Sequence, residues 1–222
     1  MTYVMSDIHG DLKRYRSVMS KIKITAEDHL YVLGDVIDRG ADGIEILTEL
    51  MAEPNVTVLL GNHEWMMKNA LWGEHQFADT RLWYRNGGVL TYGAYMQLPQ
   101  EQQDEIQRYI RQMQLSTEVT VNDADYILVH GAPPELIGTI LSKYDANPTF
   151  ALWTRMRPDD TMPNGKTVIF GHTPTEYYQE GIPLRIWHGK DKIGIDCGSG
   201  HEHPVCRLAY LRLDDMTEYY SD

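Results

Sequence analysis

Short apolar runs that stop abruptly at polar side chains recur along this 222-residue chain. In residues 56–66, "VTVLLGNHEWM", a β-branched apolar run is followed at once by Asn62, His63 and Glu64. Similar runs lead into "SDIHG", "GDVIDRG", "HGA" and "FGHT". Apolar runs of ~4–8 residues bounded by turn residues are typical of buried strands. The pattern therefore predicts five strands, each with polar groups at its end.

Helical patterns separate the first of these runs. Asp11 is a predicted N-cap, because the residues after it are apolar at helical spacing: Leu12, Tyr15, Met19 and Ile22. Asp42 and Glu45 have the spacing of a capping box, in front of a second apolar stripe. The first half thus predicts a β-α-β-α-β order, which implies right-handed crossovers and a largely parallel sheet.

The remainder predicts a second layer. Residues 65–118 carry helix formers and large aromatics, and we interpret them as a mainly helical section that covers the sheet. The back half returns to strands, of which "VCRLAYLRL" alternates and belongs to a final antiparallel pair. We interpret the acidic end, 214–222, as a solvated tail. The prediction is one domain over residues 1–222, an α/β sandwich of two packed mixed sheets flanked by helices.

Composition excludes some classes of partner. The net charge of −12 disfavours nucleic acid and anionic membranes as partners. Two cysteines, Cys197 and Cys206, are too few for a disulfide framework, which favours a reducing, cytoplasmic location. We expect no membrane span, since no apolar stretch approaches ~18–20 residues. "MTYVMSDIHG" lacks the layout of a signal peptide and predicts the first strand.

The strand ends predict a metal site. In open α/β sheets, ligands bind beyond the carboxyl ends of the strands. That edge would gather Asp7, His9, Asp35, Asn62, His63, His130 and His172. One histidine after a strand is usually an ordinary polar residue, but five such runs in one chain favour metal binding. Carboxylate, imidazole and amide ligands suit Mn, Fe or Zn, and not Cu(I) or an iron–sulfur centre.

The number of ligands favours two ions over one. Without His63, the strand ends offer six candidate ligands. Six ligands are too many for a single catalytic ion that keeps open coordination positions, whereas two ions can share one carboxylate. Such ions lie ~3.5–4 Å apart and promote in-line displacement at phosphorus. His63 is then a candidate proton donor to the leaving oxygen, with Asp38 to hold its ring. Arg39 offers a planar donor fork that matches phosphate.

The five blocks "SDIHG", "GDVIDRG", "GNHE", "HGA" and "FGHT" resemble those of the phosphoprotein phosphatases, within the calcineurin-like metallophosphoesterases. The resemblance keeps the order of the blocks over residues 6–173, and "LWTR" and "IDCG" are similar to later blocks of bacterial and phage members. It implies a β-sandwich flanked by helices and two divalent ions, Mn²⁺ before Fe or Zn. It also implies hydrolysis of phosphomonoesters by a metal-bridging hydroxide.

The resemblance also implies roles for individual residues. Asp7 and His9 would bind the first ion, Asp35 would bridge both, and Asn62, His130 and His172 would complete the second. His63 with Asp38 would act as the acid, and the substrate phosphate would contact Arg39, Arg155, Asn62 and His63. Asp196 would support the centre from behind. Ser6 and Ala132 depart from common family residues, which matters only if either backbone needs positive φ.

Three functions remain open at this stage. The first is a bacterial-type Ser/Thr protein phosphatase acting on phosphoproteins or small phosphomonoesters. The second is a symmetrical diadenosine tetraphosphate hydrolase, but the resemblance implies that those enzymes lack an acid at position 38 and end the third block in Asp. The third, a binding module without catalysis, conflicts with the intact ligand set. We interpret the five tryptophans as packing residues, and His201 and His203 as members of a solvated loop.

Overall fold

Two five-stranded mixed sheets form the centre of the protein. The computed structural model describes residues 1–22, 24–136, 149–162, 165–181 and 183–222. In chain order the strands are β1 Thr2–Met5, β2 His29–Val32, β3 Val56–Val58, β4 Ser116–Val121, β5 Ala124–Val129, β6 Thr167–Phe170, β7 Trp187–His188, β8 Lys192–Gly194, β9 Ala209–Arg212 and β10 Thr217–Tyr220. The α-helices are α1 Leu12–Lys21, α2 Gly43–Ala52, α3 Asn62–Trp72, α4 Gln76–Arg85, α5 Gly88–Met96, α6 Gln100–Gln112 and α7 Phe150–Trp153.

The first sheet has the order β10-β9-β1-β2-β3. Strands β1, β2 and β3 are parallel, with α1 and α2 as the connections, so the predicted β-α-β-α-β order is confirmed. Asp11 caps α1, because its carboxylate accepts a hydrogen bond from the Arg14 amide at 3.0 Å. The predicted capping box at Asp42 is wrong. Its backbone (φ −101°, ψ 15°) lies outside the extended region of a usual N-cap, and its side chain makes no capping bond.

The second sheet has the order β4-β5-β6-β8-β7, with β5, β6 and β8 parallel. Strands β4 and β5 form a hairpin whose two turn residues, Asn122 and Asp123, both have positive φ. That is the conformation of the two-residue turns that match strand twist. The helical section spans 62–112, and the expected boundary at 118 is therefore wrong. "STEVTV" is rich in β-branched residues and forms β4 instead.

Apolar side chains from both sheets meet in one cluster, so the predicted sandwich is confirmed. Val4 and Leu211 contribute from the first sheet, and Leu128, Ile169 and Ile193 contribute from the second. A separate core lies between the first sheet and the helices, and includes the fully buried Trp83. Among the described helices, none combines the length and apolar composition that crossing a bilayer requires.

The acidic end is structured, contrary to the expected solvated tail. Residues Thr217–Tyr220 form β10, which pairs antiparallel with β9 at the edge of the first sheet. The Tyr219 ring stacks on Tyr210 with centroids 4.4 Å apart. The expected tail is wrong because the acidic composition of this segment suggested exposure to solvent, whereas the segment forms a tight turn followed by a short strand. Met216, at that turn, has φ 58°.

Candidate metal centre

The loops after β1, β2, β3, β5 and β6 converge at the carboxyl ends of their strands. Their approach is close: a Cβ on Gly61 would lie 2.3 Å from both the amide nitrogen and Oδ1 of Asp35, so only glycine fits there. Six non-glycine residues in these loops have positive φ: Asp7, His9, Asp35, Asp38, Arg39 and His172. Such conformations cost of order ~1–3 kcal/mol each and concentrate at functional sites.

Asp35 occupies the middle of the cluster. Its Oδ2 lies 3.6 Å from His9 Nε2 and 3.8 Å from His63 Nε2. Its Oδ1 lies 3.4 Å from His130 Nε2 and accepts a hydrogen bond from the His63 amide at 3.1 Å. The two oxygens of one carboxylate therefore face different imidazoles, which is the arrangement that a bridging ligand needs.

The imidazoles of His9 and His130 are oriented by backbone carbonyls. His9 Nδ1 lies 3.2 Å from the Ile37 carbonyl, and His130 Nδ1 lies 2.7 Å from the Leu33 carbonyl. These contacts place the proton on Nδ1 and leave the Nε2 lone pair directed at the centre. Burial lowers the pKa of both rings, and lowers that of His172 to about 3. Neutral imidazole is the form that binds a metal.

The Asp7 carboxylate is buried near other negative charges. Burial, followed by the charges of Asp196 and Asp35, raises the pKa of Asp7 well above its usual value. The Asp7 carboxylate accepts hydrogen bonds from the Ser6 hydroxyl and from the His172 amide. A divalent cation would relieve this repulsion, so the donor set fits such an ion.

Two groups of side chains in the described part of the chain are close enough to hold an ion each. His9, Asp35 and His63 form one, Asp35, His130 and His172 form the other, and ligand atoms within each group lie within 4.8 Å of one another. Asn62 adds an amide oxygen 2.8 Å from His130 Nε2. Asp7 lies in neither group, but its Oδ1 is 3.9 Å from His9 Nε2. The six predicted ligands thus lie together, with Asp35 common to both groups, and their binding of two ions stays a prediction. His63 in the first group was not predicted as a ligand.

His63 and Asp38 form a buried pair beside these groups. His63 Nδ1 lies 2.7 Å from Asp38 Oδ2, and the indole of Trp83 donates to the same oxygen at 2.8 Å. Burial by itself lowers the pKa of His63, but Asp35 and Asp38 outweigh it, so the net pKa is raised. This direction is opposite to that of His9, His130 and His172, and it favours a proton-donating imidazolium.

The two predicted phosphate-binding arginines lie at the exposed rim of the centre. Arg39 Nη1 lies 3.0 Å from His201 Nε2. The guanidinium of Arg155 lies 5.2 Å from the centre of the Tyr177 ring, and its charge contributes to the lowered pKa of His172. His201 is exposed, as expected of a loop residue, but it contacts Arg39. Its imidazole is therefore part of the rim and more than a solvated group.

A profile of the calcineurin-like phosphoesterases matches residues 2–205. The chain belongs to the calcineurin-like phosphoesterase family. It is similar to serine/threonine-protein phosphatase 2 of Escherichia coli, at 28% identity over 135 residues, 60% of this chain and 58% of that protein. It is also similar to the symmetrical bis(5'-nucleosyl)-tetraphosphatase of Buchnera aphidicola, at 35% identity over 65 residues, 28% of this chain and 24% of that protein.

The aligned segments thus cover less than two thirds of either relative. The solved structure of a metallophosphoesterase from Sphaerobacter thermophilus shares the fold, with a TM-score of 0.59. That likeness spans 100% of this chain and 88% of the other, at 17% identity. Together with the two mixed sheets and their flanking helices, it confirms the predicted fold class.

Glu64 is a residue of this phosphoesterase whose role the sequence analysis missed. Its carboxylate is fully buried and accepts hydrogen bonds from four backbone amides, those of Asp35, Val36, Ile37 and Gly61. Glu64 therefore ties the loop after β2 to the start of α3. A signal was present, since Glu64 lies three residues after Gly61, the spacing of a capping carboxylate at a helix N-terminus.

Asp196 lies near the centre, since its charge contributes to the raised pKa of Asp7, and its supporting role stays a prediction. It is buried, and Oδ1 accepts a hydrogen bond from the Gly198 amide at 2.8 Å. Burial raises its pKa to about 6. Neither Ser6 nor Ala132 is among the described residues with positive φ, so these departures from common family residues impose no backbone strain.

Proposed function

We propose that this phosphoesterase hydrolyses phosphomonoesters, with phosphoserine and phosphothreonine in proteins as its substrate class. The observation that carries the proposal is the buried His63–Asp38 pair, with 2.7 Å between Nδ1 and Oδ2. A serine alkoxide is a poor leaving group and needs a proton as it departs. A nucleotide released from a dinucleoside polyphosphate leaves through phosphate, whose second pKa is ≈ 6. A dedicated proton donor therefore favours alkyl esters.

In this proposal Asp7, His9, Asp35, Asn62, His130 and His172 hold two divalent ions, Mn²⁺ in preference to Fe or Zn. When bound, such ions polarise the phosphate and activate the attacking water. Arg39 and Arg155 orient the phosphate from the rim, with Asn62 and His63 below it. His63 donates its Nε2 proton to the leaving oxygen, while Asp38 holds Nδ1–H and keeps the ring in position.

The alternative function is symmetrical hydrolysis of diadenosine tetraphosphate. It is favoured by the identity of 35% to the Buchnera aphidicola tetraphosphatase over 65 residues. The metal ligands alone do not distinguish the two functions, since two-metal sites suit displacement at phosphorus in both esters and anhydrides. Asp38 and Glu64 favour the phosphatase, because the family resemblance implies that the tetraphosphatases lack an acid at position 38 and have Asp at position 64.

The test compares three substrates with metal-loaded protein: a phosphoserine peptide, p-nitrophenyl phosphate and diadenosine tetraphosphate. We expect the highest kcat/KM on a phosphomonoester. His63→Asn should lower peptide hydrolysis by ~10²–10⁴-fold, the usual value of general acid catalysis. The loss on p-nitrophenyl phosphate should be much smaller, because nitrophenolate leaves without a proton. Metal content should stay unchanged.

His188→Asn provides a matched control, because His188 also pairs with a carboxylate, Glu218, at 2.6 Å, but on the surface. We expect it to behave as wild type. A higher kcat/KM on the dinucleotide would establish the alternative function. Equal losses on both monoesters would assign His63 to electrostatic stabilisation, and loss of an ion would make it a metal ligand.

A further inference from the structure

Trp83 reaches the acid pair from the helical section. It lies in α4, its side chain is fully buried, and its Nε1–H donates to Asp38 Oδ2 at 2.8 Å. That oxygen also faces His63 Nδ1 at 2.7 Å. Trp83 is 45 residues from Asp38 in sequence, so folding of the helical section onto the loop after β2 creates this contact.

Other contacts from the same helical section surround Asp38. The Asp38 amide donates to Thr91 Oγ1 of α5 at 3.0 Å. The next amide, of Arg39, donates to the carbonyl of Gly87 in the α4–α5 turn at 3.2 Å. Asp38 itself has φ 72°, a conformation that neighbouring structure must impose. The helices α4 and α5 therefore hold both the backbone and the side chain of this residue.

We propose that Trp83 is a positioning residue for catalysis, which acts on His63 through Asp38. The inference rests on the proposed function, in which His63 is the proton donor. Asp38 Oδ1 has no hydrogen-bond partner among the described residues. Both the His63 ring and the Trp83 indole therefore contact the other oxygen, Oδ2. The indole hydrogen bond distinguishes the two oxygens and fixes the rotation of the carboxylate. The fixed carboxylate in turn aims the His63 ring.

A purely structural role for Trp83 makes a different prediction. A buried indole usually has a hydrogen-bond partner. In a purely structural role, Asp38 would only satisfy the N–H of Trp83, and Trp83 would not position Asp38. Loss of the indole N–H would in that case change stability, and would affect all substrates equally. A positioning role instead predicts a loss of kcat/KM that is larger for esters whose leaving group must be protonated than for esters whose leaving group departs as an anion.

The experiment uses two variants of the metal-loaded 222-residue chain. Trp83→Phe removes the N–H together with part of the ring. Replacement of Trp83 by 3-benzothienylalanine removes the N–H and keeps the shape, so it tests the hydrogen bond even if Trp83→Phe folds poorly. We expect kcat/KM for the phosphoserine peptide to fall about 10-fold in both, a part of the ~10²–10⁴-fold that general acid catalysis is usually worth. The loss on p-nitrophenyl phosphate should be several times smaller.

Two further measurements identify the route of the effect. In a double-mutant cycle with Asp38→Asn, the Trp83 substitution should add little further loss, because it acts through the group already removed. In Zn²⁺-loaded protein, the downfield proton resonance of His63 Nδ1–H should shift or broaden when the indole N–H is absent. Trp72→Phe is the control, since Trp72 packs in the same helical section, edge-on to Tyr95, and we expect no selective effect from it.

The outcomes separate this inference from the proposed function. If His63→Asn is selective for the peptide but both Trp83 variants lose activity equally on the two monoesters, the positioning role is wrong and the proposed function stands. An unchanged Nδ1–H resonance would also overturn the positioning role. If His63→Asn is itself unselective, the proton-donor role fails. The resonance then reports independently whether Trp83 positions the pair.

Discussion

Glu64→Gln tests how the loop that carries Asp35 is held. One oxygen of Glu64 accepts from the amides of Val36 and Ile37 at 2.9 and 3.2 Å. The other accepts from the amides of Asp35 and Gly61 at 2.9 and 3.1 Å. A glutamine has nearly the same shape but presents an NH₂ group in place of one oxygen. Two buried amides would then face a donor and lose their acceptor.

The expected cost follows from those two amides. A buried donor left without a partner costs ~1–3 kcal/mol, so the variant should lose roughly 2–6 kcal/mol of unfolding free energy. For a chain of this size, ~1 kcal/mol corresponds to a Tm shift of ~2–4 °C. At pH 5 Glu64 is protonated, because its folded pKa is about 7, but its hydroxyl oxygen keeps lone pairs that accept from the amides, whereas the glutamine NH₂ cannot accept. We therefore expect Tm to fall by roughly 5–20 °C in thermal denaturation of the chelator-treated protein at pH 5.

The pH dependence supplies a second readout. Burial raises the pKa of folded Glu64 from 4.5 to about 7. Ionisation therefore costs the folded state, and its stability falls as pH rises from about 4.5 to about 7. Glutamine lacks this titration, so the Tm difference between wild type and Glu64→Gln should narrow over that range.

The control is Glu49→Gln, on a half-buried surface glutamate whose carboxylate pairs with Arg16. Surface pairs are worth about 0–1 kcal/mol, so its Tm should hardly move. A Glu64→Gln Tm at pH 5 within about 2 °C of wild type, the equivalent of less than ~1 kcal/mol, would refute the reasoning. In that case the four amides would have other acceptors, and Glu64 would not hold the loop.

Three further predictions concern the centre itself. Elemental analysis of active, metal-saturated protein should give two divalent ions per chain, with Mn²⁺ the best activator, and a single ion would contradict the two-ion interpretation. Asp35→Asn should abolish activity more completely than Asn62→Ala, because both ions lose a shared anionic ligand; equal residual activities would exclude bridging. Because the pKa of Asp7 is raised, metal binding must displace a proton from this carboxyl at higher pH than from an ordinary aspartate, so metal affinity should fall as pH falls. Proton release on metal binding, measured by calorimetry in buffers of different ionisation enthalpy, should increase as the pH is lowered.

Features that depend on local patterns were predictable from the sequence. The ends of the strands were predictable because each apolar run stops within a few residues of its polar group. The parallel order of the first three strands was predictable because helices separate the runs. Because ligands bind beyond the carboxyl ends of the strands in such sheets, residues as far apart in sequence as Asp7 and His172 could be assigned to one site. The second sheet and its place against the first also followed, although the helical section was predicted too long at its C-terminal end.

Contacts between distant segments were not predictable in the same way. Trp83 and Asp38 are 45 residues apart, and Arg39 and His201 are 162 residues apart. No periodicity links such pairs, because each depends on how a helix or loop docks on the sheet. Composition was also misleading at the C-terminus, where an acidic segment supplies the edge strand β10.

The backbone of the centre explains why so many unrelated segments must cooperate there. Asp7, His9 and Asp35 have φ between 52° and 53°, a region that is uncommon for residues other than glycine even though Asp and His are enriched there. Their loops are held to one another. The amides of Asp7 and His9 donate to the carbonyls of Gly34 and Asp35, at 3.2 and 2.9 Å. Glu64 fixes the next turn of the same loop from α3. These three ligands are thus positioned by hydrogen bonds between neighbouring strand-end loops, so their geometry depends on how the whole sheet and α3 fold together.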